Sequence, residues 1–224
     1  PAPSLDAASF PADAIHPTSR LIPVLLDDGA TDSDVSVSLS SSTLAARLRD
    51  DHGVAALDVV LANAGGSTAM TGVLDTDPDE MARDFVVNAA GSARLFQAVW
   101  PLLKRSDGSE RGLGKFVYVS STLGSIGILH QESMPGVAYG MSKAAANWFT
   151  KKVSVELKGQ VVAGVVHPGW VQTDLGQSLA DAIGFKEPPL TVEASAKGVV
   201  EQIDNWTPEK SGQFLSYDGR LLPW

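Results

Sequence analysis

Leu57-Asp58-Val59-Val60-Leu61-Ala62-Asn63-Ala64-Gly65-Gly66 sets a short apolar run directly against a polar, glycine-containing turn. The run does not alternate in polarity, so it reads as a strand buried on both faces rather than one with a wet side. Its glycines let the backbone turn sharply and come close to a ligand. The pattern recurs downstream. Lys115-Phe116-Val117-Tyr118-Val119-Ser120 runs into Ser121, Val161-Val162-Ala163-Gly164-Val165-Val166 ends in His167-Pro168-Gly169, and Gly212 to Ser216 makes a last short strand. Helical segments fill the intervals. Asp77 or Asp79 can cap a helix from Pro78, and Phe85, Ala89, Ala93, Phe96 and Trp100 carry helical spacing to about Leu103. A helix from Ala138 runs through the Gly- and Pro-free stretch Ala144 to Leu157, and Thr191 caps another that reaches Asp204.

Upstream, Leu21 to Leu26 is a short apolar run closed by Asp27-Asp28-Gly29. Pro23 within it lacks a ladder donor and favours an edge. Val35, Val37 and Leu39 alternate like a strand, whereas Thr43 to Arg49 reads as helix. Residues 1 to 20, with four prolines, show neither period. Alternating strands and helices predict one doubly wound α/β domain, its parallel sheet covered by helices on both faces. Ligands of such sheets sit at the carboxyl ends of the strands. Asp27, Asn63 to Gly65, Ser120-Ser121 and Pro168-Gly169 all fall at that rim.

Composition narrows the function classes. A chain of 224 residues with 44% hydrophobic and 19% charged content can bury a full core as a single domain. A net charge of -9 and a pI near 4.8 argue against a phosphate-neutralising surface, so nucleic acid is not expected as a partner. Cysteine is absent, which removes disulfides and thiolate metal sites and fits a reducing compartment. No apolar run approaches the ~20 residues of a membrane span. The expectation is a soluble cytoplasmic protein without membrane contact. His16, His52, His130 and His167 lack ligand spacing and read as surface or loop residues, so no metal is expected.

Tyr139-Gly140-Met141-Ser142-Lys143 places a phenol and an ammonium one helical turn apart. A free tyrosine titrates near pH ~10, and a neighbouring cation favours the phenolate, pulling it toward the range of a useful acid or base. An isolated pair of this kind is more often a buried tyrosine beside a surface lysine. Its companions decide the matter.

Asn63-Ala64-Gly65, Asn88, Ser120-Ser121-x-x-Gly124, Tyr139-x-x-x-Lys143 and Pro168-Gly169-x-x-x-Thr173-Asp174, in this order, resemble the short-chain dehydrogenase/reductase family. The runs Tyr139 to Trp148, His167 to Asp174 and Phe214 to Gly219 look like fungal ketoreductases of the norsolorinic acid ketoreductase type. The resemblance covers Leu21 to Trp224 and implies a Rossmann-like fold and hydride transfer between a nicotinamide cofactor, NADP with NAD as the alternative, and a small-molecule carbonyl or alcohol. It gives Tyr139 the role of proton donor. Lys143 would hold the nicotinamide ribose and lower the tyrosine's pKa, Ser121 would hydrogen-bond the substrate oxygen, and Asn88 would position a water that feeds protons through Lys143. Asp27 and Asn63 to Gly65 would line the adenosine side, Val171 and Thr173 would contact the carboxamide end, and Pro168 and Gly169 would also bind the cofactor. Against these roles stand the plainer readings of Ser121 as a strand-end serine satisfying backbone groups and of Asn88 as a helix-interior asparagine that bends its own helix. The family resemblance also implies a homodimer or homotetramer, for which Val99, Trp100, Trp148, Phe149 and Val153 offer a second apolar stripe.

The resemblance departs at the start. The family opens with a strand, a Thr-Gly-x-x-x-Gly-x-Gly turn and a helix that cradle the pyrophosphate, and no such run precedes Leu21. Three readings are open: residues 1 to 224 belong to a longer chain whose first βαβ unit, about 30 residues or more, lies outside them; a truncated, catalytically silent partner; or a binding protein with a rebuilt N-terminus. The start at Pro1 favours the first. A ketoreductase acting on an apolar, aromatic or polyketide carbonyl therefore stands against a cofactor-free binding or regulatory protein. Leu123 to Val137 and Leu175 to Pro189, where substrate choice would lie, read as irregular. Trp170 and Phe185 either line the pocket or pack loops.

Overall fold

A computed structural model describes residues 41–67, 69–105, 112–131 and 134–224. The strand expected at 21–26, the alternation at 35–39 and Asp27 lie outside the described residues. The first element, α1 (Ser41–Asp50), contains the predicted helical stretch and sends Leu44 and Leu48, four apart, into the core.

Of the two candidate caps, Asp77 is used. Its carboxylate accepts from the Asp79 amide at 2.9 Å, with Pro78 opening α2 (Pro78–Asp84). The helix expected as far as Leu103 is continuous but contains one wide π turn, Phe85–Ala90, before α3 (Gly91–Leu103). Gly91 N–H reaches back five residues to Val86 O. The inserted residue re-aims the side chains, so that Asn88 is fully buried while Phe85 and Val87 face outward.

β1 (Val59–Ala62), β2 (Gly114–Val119), β3 (Val161–His167) and β4 (Phe214–Ser216) form one parallel sheet in chain order. The crossovers are α2 with α3 between β1 and β2, and α4 (Val137–Glu156) between β2 and β3. The last crossover carries α5 (Asp174–Ala182) and α6 (Val192–Asp204). Alternate strand residues divide the core. Phe116, Tyr118, Val161, Ala163, Val165 and Phe214 meet α1, α3 and α4, whereas Val117, Val162, Val166 and Leu215 meet α6 and Trp206. Phe96 joins the first layer edge-on to Phe116 at 5.0 Å and to Phe149 at 6.0 Å. Full burial of one such ring is worth about 1.5–3 kcal/mol. On the second face Trp206 lies against Gly164 and donates its indole N–H to Lys210 O at 3.0 Å.

Three expectations need correction. Cover on both faces holds for β2 and β3, but in β1 Val60 and Ala62 are buried while Val59 and Leu61 are exposed among the described residues, because the α6 layer does not include β1. Leu175 to Pro189 is not irregular throughout: Thr173 caps α5, its Oγ1 accepting from Gly176 N at 3.1 Å. The second apolar stripe is also placed differently, since Val99 and Val153 are buried in the chain's own core. The outward stripe on α4 is Met141, Trp148 and Val155, seven residues apart and 55%, 68% and 62% exposed.

Candidate active site

The carboxyl ends of β1, β2 and β3 open into a cleft of about 620 Å³. Asn63, Gly65, Ser121, Tyr139, Lys143, Pro168, Gly169, Val171 and Thr173 all line it. Of the other expected site residues, Ala64 lies on the exposed turn between Asn63 and Gly65, Asn88 is buried behind that turn, and Asp27 is outside the described residues.

Glycines let the pieces meet. A side chain at Gly65 would come within 2.6 Å of Asn88 Oδ1 and 3.2 Å of Lys143 Nζ, so the turn after β1 approaches α4 as closely as a bare backbone allows. A Cβ at Gly124 would stand 2.7 Å from Lys143 Cβ, which brings the Ser121 loop onto the same helix. Asn88 fixes the first contact. Its Nδ2 donates to Gly66 O at 2.7 Å and to Ser142 Oγ at 2.8 Å, and its Oδ1 accepts from Gly66 N at 2.9 Å. The Asn88 side chain thus fastens the turn to α4, a linking job distinct from bending its own helix, and Ser142, absent from the expected set, is its partner. Ser142 stands one residue before Lys143, inside the very motif that singled out the lysine.

Lys143 is buried. Its ammonium donates to Val119 O at 2.9 Å and stands 4.6 Å from the ring centroid of Tyr118 and 5.4 Å from that of Tyr139. Loss of hydration pulls its pKa down to about 8. The expected lowering of the Tyr139 phenol is not seen. Burial, and then the negative charge of Asp84, raise it above the usual tyrosine range. Tyr139 therefore rests protonated, the state a proton donor needs.

Ser121 lies at the start of the loop after β2, and its Oγ accepts from Leu123 N at 3.2 Å. That is the backbone-satisfying job, yet it uses only a lone pair and leaves the hydroxyl proton for an oxygen in the cleft. Thr173 likewise spends its oxygen on capping α5. Trp170 lines the cleft, held by its indole N–H on Gly176 O at 2.9 Å. Phe185 packs on Trp170 at 5.4 Å, is exposed and does not line the cleft, so it belongs to loop packing. His167, expected on a surface or loop, instead ends β3 beneath the cleft. Apolar walls come from Met70, Leu123, Leu175 and Leu179. Among the described residues no group of three or more metal-ligating side chains occurs, and no helix is long and apolar enough to cross a membrane.

Comparison with known proteins gives a consistent result. Residues 15–201 match a family model described as Enoyl-(Acyl carrier protein) reductase. Short chain dehydrogenase gsfK of Penicillium aethiopicum is 38% identical over 193 residues, 84% of this chain and 75% of its own length. Norsolorinic acid ketoreductase of Aspergillus parasiticus is 37% identical over 211 residues, 92% of this chain and 73% of its own. The crystal structure of NADPH-bound carbonyl reductase from chicken fatty liver superposes with a TM-score of 0.70 at 27% identity, covering 83% of this chain and 73% of that one.

Proposed function

The chain belongs to the short-chain dehydrogenase/reductase family of oxidoreductases, and from that premise we propose that it is a cytoplasmic, NADP-dependent ketoreductase acting on an apolar, aromatic or polyketide carbonyl. The observation that carries this reading is the convergence of Ser121, Tyr139 and Lys143 on one apolar-walled cleft at the carboxyl rim of the sheet. Nearness to a ketoreductase and to an NADPH-bound carbonyl reductase supports the choice of carbonyl and cofactor.

Lys143, Asn63, Gly65, Pro168, Gly169 and Val171, which line the cleft, would hold the dinucleotide. When bound, it supplies a hydride to the carbonyl carbon. What the chain must then do is manage a proton. An oxygen gaining negative charge needs a donor within hydrogen-bond reach. Tyr139, protonated because it is buried, gives up its phenolic proton to that oxygen. Ser121 holds the same oxygen through its unspent hydroxyl proton, and the Lys143 ammonium stabilises the phenolate left behind. The outward stripe Met141, Trp148 and Val155, with Phe85 and Val87, is the surface through which the protein forms a homodimer or homotetramer.

The test is NADPH oxidation with aromatic and aliphatic ketones in the full-length protein, set beside Tyr139→Phe. The wild type should turn over bulky aromatic ketones. The variant should bind NADPH nearly as well yet lose about 10²-fold or more in kcat, the usual contribution of a positioned acid. A variant that keeps most of the rate would overturn the assignment.

A further inference from the structure

Six buried side-chain polar atoms lack a hydrogen-bond partner among the described residues, and five of them gather between α4 and one face of the sheet: Tyr118 OH, Ser120 Oγ, Asn147 Oδ1, His167 Nδ1 and Ser216 Oγ. The strand register sets three of them in a row. Ser120 N donates to Val166 O at 2.8 Å, extending the β2–β3 ladder by one step so that Ser120 lies beside His167, and His167 pairs with Ser216. Neighbouring strands stand about 4.8 Å apart. Two-residue alternation puts all three on the face of Tyr118, Val165 and Phe214, which is the face under α4. On α4, one turn beyond Lys143, Asn147 donates its Nδ2 to Gly124 O at 3.1 Å and leaves its Oδ1 unpartnered.

We propose that this seam is a water-binding site that forms a second proton path, running from solvent at Asp218 past Ser216, His167 and Ser120 to the catalytic Lys143. It rests on the ketoreductase reading. A buried hydroxyl or imidazole without a partner is destabilising, and such groups in native proteins are commonly satisfied by internal water. Both ends of the row are defined. At the inner end Ser120 and His167 line the cleft, and Tyr118 lies under the Lys143 ammonium. At the outer end Asp218 pairs with Arg220 at 2.7 Å on the exposed turn after β4. Burial raises the Asp218 carboxyl, but Arg220 and the nearby Ser216 hydroxyl together hold it below the usual range, and Ser216 Oγ still makes no formed hydrogen bond there.

The proton balance is closed. Tyr139 gives its proton to the substrate oxygen, the phenolate recovers one from Lys143, and the resulting amine takes one from seam water. That water is restored by transfer along the row from bulk. A hydroxyl both donates and accepts, and His167, kept neutral by burial with a pKa near 4, can do the same through its two nitrogens. Asn88 has both amide hydrogens committed to Gly66 O and Ser142 Oγ, so on that side it offers water only an acceptor.

The experiment compares single-turnover and steady-state reduction in the full-length, NADPH-loaded protein carrying Ser216→Val, with Ser216→Thr as the variant that restores the hydroxyl. The first turnover draws on the proton already on Tyr139, so its rate should stay within about twofold, while steady-state turnover falls about tenfold, a modest share of the range seen for proton-transfer groups. Ser216→Thr should stand near wild type. Equal loss in both regimes, or no loss in either, overturns the path. If Ser216→Val fails to fold, Ser216→Ala is read in the same way. A wild-type protein that reduces no ketone sinks the ketoreductase reading instead. The water site is then decided by a high-resolution crystal structure: ordered water within hydrogen-bond distance of Ser120 Oγ, His167 Nδ1 and Ser216 Oγ supports it, and a dry seam or direct bonds among the three overturns it.

Discussion

Asn88 Nδ2 donates to Ser142 Oγ at 2.8 Å, and Ser142 Oγ donates onward to the carbonyl of Tyr139 at 2.7 Å. The π turn is thereby joined to the helix that carries both the phenol and the ammonium. Asn88→Ala removes this link, leaving the part-buried Gly66 N–H and O without their partner and the buried Ser142 Oγ with only its bond to Tyr139 O. The expected cost is about 2–3 kcal/mol of stability, read as a lower urea midpoint, with NADPH binding weakened because the turn after β1 is no longer held. A midpoint unchanged from wild type would contradict the role given to Asn88.

Gly65→Ala tests the same junction by overfilling it. A methyl there would stand 2.6 Å from Asn88 Oδ1 and 3.2 Å from Lys143 Nζ, closer than ordinary contacts permit. Either the turn backs away from α4 or the Asn88 amide gives up its bonds. The substitution should destabilise by about 1–3 kcal/mol and weaken NADPH affinity as measured by cofactor fluorescence. Gly66, with open space around its Cβ position, provides the control: Gly66→Ala should cost far less.

The strands and crossover helices were legible in the sequence because continuous apolar runs and capped helical periods are local signals. The rim motifs followed from the strand ends. Other features were not local. The π turn at Phe85–Ala90 depends on burying Asn88 against Gly66 and Ser142, residues 22 and 54 positions away. The raised tyrosine follows from burial, which the four-residue spacing of Tyr139 and Lys143 does not encode. Helix α5 carried a readable start in Thr173-Asp174, but Gly176 and the shortness of the segment masked its period. Val99 and Val153 were misplaced because apolar content alone does not say which of two faces meets the sheet.

Lys143 sets the pH dependence of reduction. Its pKa of about 8 lies below the ordinary lysine value of 10.5, so the amine forms at lower pH than in a surface lysine. Carbonyl reduction needs the charged form, to stabilise and then reprotonate the Tyr139 phenolate. The kcat/KM for reduction should be level below pH 7 and fall tenfold per unit well above about pH 8. A profile that stays flat to pH 10 would show that the ammonium is not required in that state.

His167 predicts loss of stability in acid. Its ordinary value of 6.5 is depressed to about 4 in the folded chain, first by burial and then by the positive charge of Arg220, with Asp218 opposing. Between these values the unfolded chain binds a proton that the folded chain refuses, so acid favours unfolding. Above pH 6.5 both states are neutral and the group has no effect. As pH falls from 6.5 toward 4 the folded state loses up to about 3 kcal/mol from this site, less by whatever relief its partial exposure at the cleft provides. Urea midpoints measured at intervals from pH 7 to pH 4.5 should therefore drop more steeply for wild type than for His167→Gln, which cannot take up the proton. Parallel curves for the two proteins would place the source of acid lability elsewhere.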